Sequence, residues 1–179
     1  YKRQHRLRSE TRAGLETGFP TTGEIRSVVI LAAFSDVGFT VPDPQRAFER
    51  MLNEEGYSDN GALGSARDYY LDNSGGRFRP TFDVVGPVTL DHPVAYYGAN
   101  TDYRDENAER MIIEACHKAE RAGVDFSQYD FDNDGKIDNV FVYYAGHNES
   151  DGGGMNTVWP HRGEISYPGE MLGGKELCV

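Results

Sequence analysis

The sequence has no apolar run long enough to cross a membrane. Its longest, Val28–Phe34, is seven residues, against the roughly 18–20 that a helical span requires. Cysteine is scarce: two residues in 179 do not make a disulfide scaffold. Positive charge is also short. Eighteen Lys and Arg face 29 Asp and Glu, a formal net charge of −11, which excludes a nucleic-acid binder with a broad basic face. No repeat recurs along the chain, and neither a collagen nor a coiled-coil composition is present.

Several catalytic motifs are missing too. No two histidines stand four residues apart, so H-E-x-x-H is absent. His147-Asn148-Glu149 gives H-x-E, but no P-C-x-x-C follows, which removes a zinc deaminase. There is no G-x-S-x-G elbow and no G-x-x-x-x-G-K-[ST] loop. Gly152-Gly153-Gly154 follows a strand pattern, but no helix with a ribose-binding acid comes after it. Cys178 with a distant histidine does not specify a thiol enzyme. His147 and Glu149 are candidates to line a cleft, and His161 for a structural hydrogen bond.

What is present is a globular chain, 38% hydrophobic, 26% charged and 12% aromatic. Residues 1–12 hold five basic residues and one acid and read as a solvated tail or the end of a pro-segment. Residues 13–24, rich in Gly, Thr and Pro, read as a linker, so the folded unit is expected over 25–179. With no initiator Met and no signal-peptide core, a processed or truncated chain is expected.

Ile25–Phe34 reads as a buried strand because it is nearly continuous in Val, Ile, Leu and Ala. Gln45–Asn53 places Ala47, Phe48, Met51 and Leu52 on one helical face. Ser65 caps a second helix, Ala66–Asn73, which Gly75-Gly76 end. Phe78–Leu90 reads as a bent strand or hairpin broken at Pro80 and Pro87, and His92–Thr101 as a loop. Asp105–Ala122 carries the stripe Met111, Ile112, Ala115, Cys116 and Ala119, which makes Cys116 a core thiol. Asn139–Ala145 reads as a second buried strand, and Thr157–Pro160 as a short edge strand. The order of elements predicts an α/β sandwich.

The strongest chemical signal is Asp130-Phe131-Asp132-Asn133-Asp134-Gly135-Lys136-Ile137-Asp138, which fits D-x-D-x-D-G-x-x-D. Calcium is a hard cation that takes six to eight oxygens. Asp130, Asp132 and Asp134 can converge on one point, with Gly135 supplying the sharp turn. The carbonyl of Lys136 can add a ligand, and Asp138 can bind directly or through water. Asp125 is a further candidate. Four carboxylates so close repel one another without a cation. Position 12 is Phe141 rather than Glu, and a strand pattern follows instead of a helix. The pattern therefore predicts a structural calcium site, not a sensor that opens a helix pair.

Several segments resemble the immune inhibitor A family of secreted bacterial metallopeptidases. They are Val28–Phe34 (VVILAAF), Gly64–Gly76 (GSARDYYLDNSGG), Phe78–Leu90 (FRPTFDVVGPVTL), Tyr96–Asn100 (YYGAN), Met111–Cys116 (MIIEAC), Asp125–Gly146 and Thr157–His161 (TVWPH). They keep the family's order from Ile25 to His161. The resemblance implies an α/β (α+β) fold of the zincin type, its upper subdomain a twisted mixed sheet with backing helices. It also implies secretion or a cell-surface location, a pro-segment and structural calcium. The family's zinc ligands and general base lie on a later H-E-x-x-H helix, so none is carried over to this chain. The resemblance thus implies the N-terminal portion of a zinc-dependent endopeptidase, inactive by itself. Its partners would be a protein or peptide substrate and the C-terminal remainder of the same domain. The rival expectation is a non-catalytic, calcium-stabilised module that binds protein or glycan through Tyr96, Tyr97, Tyr143 and Tyr144.

Overall fold

The computed structural model describes residues 20–101, 104–163, 165 and 169–177. The basic stretch 1–12, most of the expected linker and Cys178 lie outside the described residues.

The centre of the fold is β1 (Gly23–Ala33). Both its edges are paired in parallel, with β2 (Phe78–Thr89) on one side and β6 (Val140–Tyr144) on the other. Both its faces are covered as well, which explains its unbroken apolar sequence. Val28, Ile30 and Ala32 enter one core, and Val29 and Leu31 enter the other. The period of two along a strand sorts them.

The larger core lies under α4 (Ala108–Arg121), whose Met111, Ala115, Cys116 and Ala119 are buried against the sheet. The smaller core lies under α1 (Pro44–Asn53) and α2 (Ala66–Asn73), with Leu52, Phe82 and Val84. Each of these two helices starts on a side-chain cap; the one at Ser65 is readable from sequence, the one at Asp43 is not. Asp43 accepts the Arg46 N–H at 3.1 Å ahead of Pro44. Ser65 and Asp68 form a reciprocal capping box at 3.2 and 2.9 Å.

Phe78–Thr89 is one continuous strand rather than a hairpin. Pro80 is tolerated because β2 is an edge strand. Gly86 and Pro87 together face Leu31, since Val85 pairs with Ile30 and Val88 with Ala32, so the bend is a β-bulge. The expected loop at His92–Thr101 contains a short helix, α3 (Val94–Gly98), with Tyr97 fully buried. The second strand is half-buried: Phe141 and Tyr143 each remain 39% exposed because β6 is also an edge. Thr157–Pro160 forms no strand. It is held by the Glu149 N–H on the Val158 carbonyl at 3.2 Å and by side chains. Tyr144 donates its hydroxyl to the Val158 carbonyl at 2.8 Å.

The remaining strands are short. β3 (Asn100–Thr101) pairs antiparallel with β4 (Arg104–Asp105). β5 (Lys136–Ile137) emerges from the acidic loop and runs parallel to β8 (Lys175–Leu177), which turns back on β7 (Met171–Leu172). The architecture is α/β, with a parallel central sheet, a small mixed sheet and backing helices. No helix among the described residues is long and apolar enough to cross a membrane.

Candidate metal centre

A single 3₁₀ turn, Phe126–Tyr129, leads from α4 into the acidic loop. Phe126 and Tyr129 are buried in the main core and fix where the loop begins. Asp125 caps this turn, accepting the Ser127 N–H at 3.0 Å and the Ser127 hydroxyl at 2.6 Å. Tyr129 donates to Asp83 of β2 at 3.1 Å, and Arg26 of β1 pairs with the same carboxylate at 3.0 Å. The loop is therefore anchored to two strands of the central sheet.

Inside the loop, backbone amides aim at carboxylates. Asp130 accepts the Asp134 N–H on Oδ1 and the Gly135 N–H on Oδ2, both at 3.1 Å. Asp132 accepts the Asp134 N–H at 3.1 Å, and Asp134 accepts the Lys136 N–H at 2.9 Å. This curl needs left-handed backbone at Asn133 (φ 58°) and Gly135 (φ 91°), residue types that adopt it readily. One oxygen from each of Asp130, Asp132 and Asp134 lies within 4.8 Å of the others. Three hard, anionic donors at that separation suit a hard cation such as calcium.

The side chain of Asp130 is fully buried, whereas Asp132 and Asp134 are exposed. Lys175 of β8 reaches Asp130 Oδ2 at 2.7 Å. That ammonium, with the two loop amides, holds the Asp130 carboxyl below the usual carboxylate range despite its burial. Asp138 behaves oppositely. Burial and the neighbouring carboxylates of Asp132, Asp130 and Asp134 hold its carboxyl above that range, while the Phe131 N–H works against them. Asp138 is thus in the loop but spends one oxygen on its own backbone. The side chain of Lys136 is exposed, and its N–H is spent on Asp134. Sequence reasoning placed all five of these residues in one loop, but missed Lys175, 45 positions from Asp130 with no local signal to link them.

The histidines do not converge. His92 stacks on Tyr96 with ring centroids 4.0 Å apart. His117 Nε2 lies 2.8 Å from Glu170, and His161 Nδ1 lies 2.8 Å from the Trp159 carbonyl. His147 is exposed, 3.7 Å from Asp151. Glu149 accepts from Asn100 at 2.9 Å. Among the described residues these do not fit a zinc centre, which takes three or four ligands at one point. A cleft of about 380 Å³ opens between α3 and α4, lined by His92, Tyr96, Arg110, Glu114 and Glu170 among others. It is a place apart from the acidic loop.

A model of the family described as immune inhibitor A peptidase M6, catalytic domain, matches residues 44–177, from the start of α1 to the end of β8. The chain belongs to this family. The peptidase M6 match begins after β1, although β1 is the central strand of the fold. The chain is also 26% identical over 141 residues to a pre-pro-metalloprotease, PrtV, of Vibrio cholerae serotype O1, covering 67% of this chain and 15% of that protein. It is 27% identical over 156 residues to immune inhibitor A of Bacillus thuringiensis subsp. alesti, covering 74% of this chain and 23% of that relative. The chain thus spans less than a quarter of the length of either relative.

Proposed function

We propose that the chain is the N-terminal portion of a secreted zinc-dependent endopeptidase domain of the zincin type, folded over residues 25–179. The observation that carries this reading is the peptidase M6 catalytic-domain match across 44–177. Zinc, in such enzymes, polarises the peptide carbonyl and activates water. Its ligands would come from the C-terminal remainder of the domain, since the described histidines do not converge. This chain supplies the platform. β6 leaves one edge unpaired among the described residues, and an extended peptide would add there as a strand. The acidic loop would hold calcium through Asp130, Asp132 and Asp134, with the Lys136 carbonyl and, through water, Asp138 completing the shell. Secretion fits such a site, because extracellular calcium is abundant enough to fill weak oxygen sites.

Peptidase assays on two forms test the proposal, one ending at Val179 and one extended by the codons that follow in the coding DNA. The extended form is expected to cleave a fluorogenic protein substrate and to lose activity to a zinc chelator. The 179-residue form is expected to be inactive. Cleavage by the short form, or none by a folded extended form, overturns the reading.

A further inference from the structure

We propose that Lys175 is a built-in counter-cation for the acidic loop, holding Asp130 when calcium is absent and weakening the loop's grip on calcium when it binds. This inference rests on the calcium reading above and adds a regulator to it. Asp130 is the one member of the three-carboxylate group whose side chain is fully buried. A buried carboxylate requires a compensating charge, and the Lys175 ammonium supplies it at 2.7 Å. The contact is not that of a wandering surface lysine. Its side chain is only 26% exposed. Its strand is fastened to the same loop by the Glu176 N–H on the Gly135 carbonyl at 2.9 Å. The parallel pairing of Lys136 with Glu176 and of Ile137 with Leu177 continues that attachment.

The lone pairs show how one cation affects the other. Each carboxylate oxygen accepts about two donors. On Asp130, Oδ2 already takes Gly135 N–H and the Lys175 ammonium, while Oδ1 takes only the Asp134 N–H. Oδ1 therefore retains a site for a metal, next to Asp132 and Asp134. A metal there sits one carboxylate away from a fixed positive charge. Even with water-like screening, a unit charge so close to a divalent ion weakens binding by on the order of tenfold. The same ammonium keeps the metal-free loop folded, so calcium is not needed to assemble it.

Calcium titration by calorimetry and thermal melting in a chelator test this on the 179-residue chain. The variants are Lys175→Met, Lys175→Gln and Lys175→Arg. The Met and Gln variants are expected to bind calcium about tenfold more tightly than the unmodified chain. In chelator they are expected to melt at lower temperature, with the gap closing in excess calcium. Arg keeps the charge and should match the unmodified chain. A Met variant that folds only when calcium is added supports the proposal. If it folds in neither condition, the Gln variant decides. Unchanged or weaker calcium affinity in a folded charge-removing variant, beside a parent that binds, overturns the role of Lys175 and leaves the calcium reading standing. No calcium binding by any form overturns both.

Discussion

Asp138 turns its carboxylate back onto its own loop and accepts the Phe131 N–H at 2.7 Å. Asp130, Asp132 and Asp134 instead bring oxygens within 4.8 Å of one another. The two arrangements imply unequal contributions to cation binding. Asp132→Asn and Asp134→Asn each remove a converging charge and should weaken calcium binding at least about tenfold, because charge count sets the affinity of such loops. Asp138→Asn keeps an acceptor for the Phe131 amide and should weaken it by no more than about threefold. Calorimetric titration of the three variants measures this. A loss at Asp138 equal to that at Asp132 would mean that Asp138 ligates directly.

Removing the cation should lower the melting temperature. A ligand at about 100 times its dissociation constant stabilises the folded state by roughly 2.7 kcal/mol. For a chain of this size each kcal/mol shifts the melt by roughly 2–4 °C. Scanning calorimetry with millimolar calcium and then with excess chelator should therefore differ by roughly 5–10 °C. Asp132→Asn should shrink that difference. Identical melts in both buffers would remove the loop from the list of cation sites.

The elements legible from sequence are those whose signals are local. β1 was readable because both its faces are buried, so its apolar run is unbroken. The cap at Ser65 and the stripe ending at Ala119 needed only neighbours a few residues away, although the reciprocal bond from Asp68 emerged only in the fold. The acidic loop was legible for the same reason. What stayed hidden depended on the tertiary surroundings. Pro80 marks a break in an isolated sequence, but on an edge strand its missing N–H costs nothing. Val94–Gly98 is too short to show a period. Its last residue, Gly98, packs so closely on Thr157 that a Cβ there would lie 2.3 Å from the Thr157 carbonyl carbon. Lys175 meets Asp130 only because β8 pairs with β5.

Cys116 should be chemically silent in the folded chain. It is fully buried on the inner face of α4, and burial pushes its thiol up to about 12. A thiolate is the reactive species, so both access and ionisation are suppressed. In a Cys178→Ser variant, a thiol reagent at pH 8 should label less than about one molecule in ten under native conditions. In denaturant, labelling should be complete. Rapid labelling of the native variant would mean that α4 opens locally and would contradict its packing on β1.

Asp105 carries an uncompensated oxygen. Its Oδ2 accepts the Trp159 N–H at 2.8 Å, while Oδ1 is buried with no hydrogen-bond partner among the described residues. Burial holds the carboxyl above the usual carboxylate range. The Trp159 amide and His161 oppose that rise, and Glu149 adds to it. The fold therefore prefers the protonated form. The stabilisation from Asp105 is fully present below its unfolded value, near 3.9, and is lost as pH rises through the elevated folded value. At neutral pH the ionised group is a net cost. Asp105→Asn keeps an acceptor for Trp159 and removes the charge, so it should raise the melting temperature at pH 7 by about 3 °C. The gain should fade as the pH approaches 4 and vanish below it. Melting curves of both proteins from pH 3 to 8 read this directly. A destabilised Asn variant at pH 7 would mean that burying an unpartnered amide NH2 costs more than the charge it replaces, and would overturn this prediction.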